Sequence, residues 1–259
     1  MISHPHRCLY VHIPKTAGNS VNRAFGIGWE NHKDLQRYAG ELPPQTYAGY
    51  YKFAIVRNPW DRLFSDYNYQ CKKSRDSKLF LYDDAGARRT FPQWVRAALS
   101  NPHRYRPDAW GGDVSPRLHR WSPQVDWITV NGRIEVDGVL RLENLRTGFR
   151  QLCRTLKIPA LRLPRRNRRL HCHYSWYYDD VTRDLVAAYY ARDIAAFGYK
   201  FELSPLCRAW RAGQAAASAL INVLRTPLLA RSLLTSAATR MPASKVKRVF
   251  NALDAPSAP

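Results

Sequence analysis

Two stretches of this chain carry the same succession of apolar and polar positions. Residues 8–13, Cys-Leu-Tyr-Val-His-Ile, are almost all apolar and read as a short buried strand. A turn-rich loop over 14–20 follows, and 21–25 opens a helical pattern. Residues 51–56 repeat the strand signature and run into Arg57-Asn58-Pro59. There Asn58 suits a helix cap and Pro59 the first helical position of a segment through about Gln70. Strand, loop and helix thus occur twice in order, which predicts an α/β fold.

Further along, 90–99 reads as a helix capped by Thr90, whereas 101–123, rich in Pro, Gly, Trp and Arg, reads as a long loop. Residues 125–130 and 134–140, separated by Asn131-Gly132, resemble paired strands. Residues 144–156 and 179–197 have helical spacing, with Gly198 as a C-terminal stop. No internal repeat is apparent. The pattern divides the chain into a domain over 1–204 and an extension over 205–259, where Ala, Leu, Ser and Arg take over.

Composition narrows the class. With 259 residues and 45% apolar content, one substantial core is expected. Lys and Arg number 41 against 20 Asp and Glu, a net charge of +21, so the ligands or partners are expected to be anionic. Nucleic acid, acidic lipid, an anionic glycan and a multiply phosphorylated nucleotide all qualify. Five cysteines, Cys8, Cys71, Cys153, Cys172 and Cys207, show no paired CxxC spacing, which argues against a disulfide framework or a zinc ribbon and favours a reducing compartment. Residues 1–8 contain no leader-like apolar segment, and nowhere does an apolar run reach membrane-spanning length. A cytoplasmic location is expected. The extension holds eight Lys and Arg against one acid, Asp254. It reads either as amphipathic helices resting peripherally on an acidic inner membrane face or as a partly ordered, solvated tail.

The candidate chemistry lies in the two loops. The first, His12-Ile13-Pro14-Lys15-Thr16-Ala17-Gly18-Asn19-Ser20, sets a lysine, several small polar side chains and a glycine at the mouth of a strand before a helix. Outward N–H groups and the helix dipole make such a junction an anion cradle. It is not the GxxxxGK[ST] phosphate loop, because Lys15 precedes Gly18. Set against this is an ordinary strand-to-helix turn. The second loop puts Arg57 at a strand end and Ser65 eight residues later, just over two helical turns. Together they suit a second phosphate; the plainer reading pairs Arg57 with Asp61.

HIPKTAGNS followed by FAIVRNPWDRLFSDY resembles the two donor-binding signatures of the sulfotransferases that use 3′-phosphoadenosine 5′-phosphosulfate (PAPS), in the family of uronyl and heparan 2-O-type carbohydrate enzymes. The similarity continues through SPQVDWI, VLRLENL and HYSWYYDD to FGYKFE, covering roughly residues 8–203. The resemblance implies a P-loop-like three-layer α/β domain with a central parallel sheet, here followed by the basic, helical extension. It implies that Pro14, Lys15, Thr16, Ala17, Gly18, Asn19 and Ser20 grip the 5′-phosphosulfate, that Arg57 and Ser65 grip the 3′-phosphate, and that the acceptor is a carbohydrate or glycolipid hydroxyl. No metal is required.

In-line sulfuryl transfer needs a charge on the leaving group and a base for the acceptor proton. Lys15 suits the first task. His32, between the two motifs, suits the second: it is expected to titrate near neutrality and to lie outside the cradle, and the family places a histidine at a similar distance ahead of its second motif. His12 and His119 compete with it. Arg104, Arg106, Trp110, Arg117, His119, Arg120 and Trp121 mix cations with flat rings, either as an anionic-sugar site or as a loop packed over the core. The basic run 165–169 with His171 and Tyr174 reads either as a cover for the nucleotide or acceptor or as a solvated segment. Arg141-Leu142-Glu143-Asn144 reads as an ion pair and a cap. The rival classes are a P-loop-like phosphotransferase or kinase, which would need a Walker-type lysine and magnesium ligands, and a nucleic-acid-binding basic protein, for which no recognised module is present and no nucleic acid is expected.

Overall fold

The computed structural model describes residues 1–28, 32–71, 80–102, 118–164, 172–210 and 212–213. In chain order its elements begin with β1 (Ile2–Ser3), β2 (Cys8–Val11), α1 (Gly18–Phe25), α2 (Leu35–Glu41), α3 (Pro44–Gly49), β3 (Tyr51–Val56), α4 (Pro59–Gln70) and α5 (Phe91–Ser100). There follow α6 (Gln124–Trp127), β4 (Thr129–Val130), β5 (Arg133–Ile134), β6 (Gly138–Arg141), α7 (Leu145–Thr155), α8 (Asp180–Tyr189) and α9 (Ala191–Phe197). The main sheet has the order β1-β2-β3-β6. β2 and β3 run parallel with Val11 beside Ala54, β3 and β6 run parallel with Val56 beside Arg141, and β1 is antiparallel at one edge.

Both faces of the sheet are covered, as the near-continuous apolar runs of buried parallel strands require. Cys8, Tyr10, Phe53, Ile55 and Leu140 meet Val21 and Phe25 of α1 and Phe149 and Leu152 of α7 on one face. The alternate residues Leu9, Val11, Ala54 and Val56 meet Leu35 and Tyr38 of α2, Trp127 of α6 and Phe197 of α9 on the other. The result is the three-layer α/β arrangement with a parallel-containing sheet that the sequence implied. A further core joins Trp60, Leu63 and Phe64 of α4, Phe91 and Trp94 of α5, Trp121, and Val186 of α8.

Three expectations change. Residues 125–127 are helical rather than the start of a strand, because the Asp193 carboxylate accepts the N–H groups of Gln124 (2.8 Å) and Val125 (2.9 Å) and so caps α6. Only two residues on each side of Asn131-Gly132 pair, as β4 and β5, while 138–141 leaves them to join β3. The turn itself has the positive φ values, 47° and 83°, that favour this dipeptide. The helical stretch over 179–197 breaks at the buried Tyr190, whose hydroxyl donates to the Trp121 carbonyl (2.7 Å); Gly198 then stops α9 in a left-handed conformation. Finally, Glu143 makes no ion pair with Arg141: it accepts from Asn58 N–H (2.6 Å) and the Tyr199 hydroxyl (3.3 Å), while Arg141 bonds the Phe197 carbonyl. Asn144 precedes α7 without a side-chain cap.

The chain forms two units, Met1–Glu202 and Leu203–Pro259. In the second, residues 205–210 are helical and Ser204 Oγ accepts the Cys207 N–H (3.1 Å). The rest of the predicted extension lies outside the described residues, as do Arg104, Arg106, Trp110, Arg117, the 165–169 run and His171. No helix among the described residues is long and apolar enough to cross a membrane.

Candidate functional site

Because β2 and β3 are parallel neighbours, the loops leaving their carboxyl ends emerge side by side, where ligands of open α/β sheets bind. The first loop turns on two left-handed residues, Lys15 (φ 70°) and Ala17 (φ 72°), and delivers the chain into α1. The first ladder bond of α1 comes from Ser20 N–H to the Ala17 carbonyl (2.9 Å). The N–H groups of Ala17, Gly18 and Asn19 therefore precede the ladder with their donors unspent, and the helix dipole adds to their pull on an anion. Gly18 is required by space: a Cβ there would stand 1.8 Å from Nε2 of His12, whose buried ring packs over it. This backbone fits a sulfate or phosphate group.

Side chains in the loop divide. The Thr16 hydroxyl donates to the Ile13 carbonyl (2.8 Å) and is fully buried, so its hydrogen is spent on holding the loop. Ser20 is buried and Asn19 exposed. Pro14 offers its carbonyl to Arg62 Nε (3.2 Å). Lys15 extends its ammonium over the ring of Tyr69, 4.0 Å from the centroid.

The second loop is tied to the first. Arg57 donates from Nη1 to the Lys15 carbonyl (3.3 Å) and from Nε to Asp61 (2.8 Å), so the pairing with Asp61 is real and coexists with a contact to the cradle. Its backbone is clamped at two points by the buried Gln124 amide, which accepts the Arg57 N–H (2.9 Å) and donates to the Arg57 carbonyl (2.8 Å). Asn58 caps α4 by accepting Trp60 N–H (3.1 Å), with Pro59 in the first turn as expected. Ser65 stands half-buried on α4, four residues after Asp61 and four before Tyr69.

Residues 1–200 match the Sulfotransferase family. The chain belongs to that family. Comparison with curated proteins and with solved structures gave no match. The sulfotransferase assignment makes the chain a transferase of sulfuryl groups, and the two linked loops are the parts of the fold that the motifs occupy.

In this sulfotransferase His32 lies nearer the cradle than its sequence position implied. It is buried, donates from Nδ1 to the His12 carbonyl (2.8 Å), and packs against the His12 ring with 4.1 Å between centroids and the planes tilted by 41°. That bond fixes the tautomer and leaves Nε2 as the basic nitrogen. Burial pushes its pKa down to about 4; the bond to His12 opposes this, and the charges of Arg120, Arg62 and the N-terminal ammonium add to it. The near-neutral titration expected of His32 is therefore not a property of the ligand-free chain. His119 has both ring nitrogens engaged, accepting Trp121 N–H at Nδ1 (3.2 Å) and facing the Tyr189 hydroxyl at Nε2 (3.3 Å).

Of the two readings of the long loop, its described end follows the packed one. Arg120 forks onto Asp66, Trp121 donates to the same carboxylate (2.8 Å), and all three are buried. Burial alone would raise the Asp66 pKa, but Arg120, Lys15 and Trp121 hold it below the ordinary range. Three residues that received no ligand-binding role from the sequence shape the site. Arg62, buried, donates to the carbonyls of Pro14, Arg120 (2.9 Å) and Ser122 (3.1 Å), knitting the cradle to the end of the long loop. Gln124 fixes Arg57, and Tyr69 receives Lys15. Gln124 lies inside SPQVDWI and Arg62 inside FAIVRNPWDRLFSDY, the signals that marked them; nothing local distinguishes Tyr69.

Proposed function

We propose that the chain moves a sulfuryl group from PAPS to a hydroxyl of a carbohydrate or glycolipid acceptor by in-line displacement. The observation that carries this reading is the bond from Arg57 Nη1 to the Lys15 carbonyl, which sets the cation of one strand-end loop against the cradle of the other. PAPS has anions at both ends of one nucleoside. Ala17, Gly18 and Asn19 offer N–H groups to the phosphosulfate, and Arg57 with Ser65 takes the 3′-phosphate. Lys15 neutralises the charge that grows on the leaving phosphate oxygen, and His32 accepts the acceptor's proton at Nε2. PAPS supplies the activated S–O bond; the chain supplies alignment, charge and a base.

The test is calorimetry with 3′-phosphoadenosine 5′-phosphate, followed by incubation with labelled PAPS and a panel of glycans, glycolipids and small alcohols, read by mass. Binding of the desulfated nucleotide and a sulfated carbohydrate are expected. Absence of nucleotide affinity would sink the donor assignment, and product only on small alcohols would sink the acceptor class. The same reading keeps the chain in the cytoplasm with its basic 205–259 segment against acidic lipid, supported by that segment's eight Lys and Arg to one acid. Co-sedimentation with phosphatidylserine vesicles that fails to respond to salt, or does not occur, rejects the membrane contact.

A further inference from the structure

We propose that Tyr69 is a positioning residue for Lys15: its ring holds the ammonium beside the cradle, fully charged, until a bound anion draws it across. This rests on the role given to Lys15 above. The Lys15 Nζ stands 4.0 Å from the Tyr69 centroid. The same ring lies 5.1 Å from the guanidinium carbon of Arg120, which is itself locked in its bidentate pair with buried Asp66. Tyr69 thus faces one cation locked in a bidentate pair and a second at the end of a lysine stem. The left-handed backbone at Lys15 and the bond from Arg57 to its carbonyl fix the start of its side chain. What remains to move is the four-carbon stem.

Helix α4 organises both cations. Asp61, Ser65 and Tyr69 follow at four-residue spacing, so they form one stripe along the helix. Arg57 ends on Asp61, and Lys15 ends on Tyr69. The two anchor points lie two turns apart, about 12 Å along the axis, with Ser65 between them. The charge of Lys15 also acts on the buried Asp66, but that carboxylate is already gripped by Arg120 and Trp121. An aromatic face attracts the cation without neutralising it and yields it to a full negative charge.

The proposal is tested first without any nucleotide. Lys15 in the full chain is labelled with an amine-reactive acetylating reagent across a range of pH, and its rate is read by peptide mass for the wild type, Tyr69→Phe and Tyr69→Leu. Tyr69 is partly exposed, at 37%, so both variants are expected to fold, and a thermal melt checks it. The Leu variant should label at least about threefold faster, because the ring both covers the amine and stabilises its protonated form; the Phe variant should match the wild type. Equal rates in all three overturn the proposal, and so does a Phe variant that labels like Leu, since the hydroxyl rather than the ring would then be responsible. In transfer assays Tyr69→Leu should lose roughly tenfold in kcat, with the donor KM little changed and Phe restoring the rate. A loss confined to KM overturns the positioning role. If the wild type neither binds the desulfated nucleotide nor transfers, the functional reading fails, while the labelling rates still decide whether Tyr69 holds Lys15.

Discussion

Lys15 and Arg57 are both cations at strand ends, yet their surroundings differ in kind. Arg57 is held by a carboxylate, a carbonyl and an amide clamp, which suits a fixed ground-state grip on a phosphate. Lys15 rests on an aromatic ring, which suits a charge that must follow the reaction. Lys15→Ala should therefore lower kcat about a thousandfold or more with nucleotide affinity changed less. Arg57→Ala should weaken binding of the desulfated nucleotide by roughly ten- to a hundredfold; stopped-flow transfer and calorimetry separate the two. His32→Ala should lower kcat by about a hundredfold or more while the nucleotide still binds. For His32 the pH profile is the sharper check. Its pKa of about 4 belongs to the ligand-free chain, and PAPS bound as proposed would raise it through its negative charge. The acid limb of kcat/KM should then lie at lower pH than that of kcat; coincident limbs would place the base elsewhere.

Among the elements, α1 and α4 carry the site, and each has one residue on which its placement turns. Gly18→Ala puts a methyl group into the His12 ring, so it should lower stability by about 2 kcal/mol or more and loosen the cradle, measurable as a drop in the urea midpoint together with nucleotide affinity. On α4, Asp66→Asn leaves Arg120 buried without its counter-charge, and a loss of about 3–5 kcal/mol is expected in the same measurement. The bounds of α4 were legible because Asn58 and Pro59 are local signals that no neighbour has to supply. The misreading of 125–127 has the opposite cause. Its apolar residues suit a strand as well as a helix, and the carboxylate that settles the matter, Asp193, lies 69 residues beyond Gln124. The same holds for Tyr190, whose hydroxyl bond to Trp121 accompanies the break in an otherwise helical run.

Across the whole molecule, sheet and helices enclose a pair of adjoining imidazoles, His12 and His32, both buried and both held below the ordinary histidine range by that burial. As pH falls, the unfolded chain takes up protons near pH 6.5 while the folded one resists until about pH 4 for His32. The native state is therefore fully favoured above pH 6.5 and loses stability as pH falls through that window, by roughly 3 kcal/mol from His32 alone. Urea midpoints at pH 7.5 and 4.5 should show this slope, and His32→Gln should flatten it; an unchanged slope would mean that the imidazole is not buried neutral. At this scale the net charge of +21 says only that anions are favoured, because it does not distinguish cations that reach a ligand from those used up inside.

The sequence by itself determined the two strand-to-helix junctions and the chemical types gathered there, since an apolar run, a turn and a capped helix are written in neighbouring residues. Only the tertiary structure decided which charges are spent. Arg62 is consumed by three carbonyls and Arg120 by Asp66, while the loops that carry Arg57 and Lys15 lie side by side because β2 and β3 are parallel neighbours. Those pairings join residues separated by tens of positions, and a long-range pairing is fixed by packing rather than by any local preference of the chain.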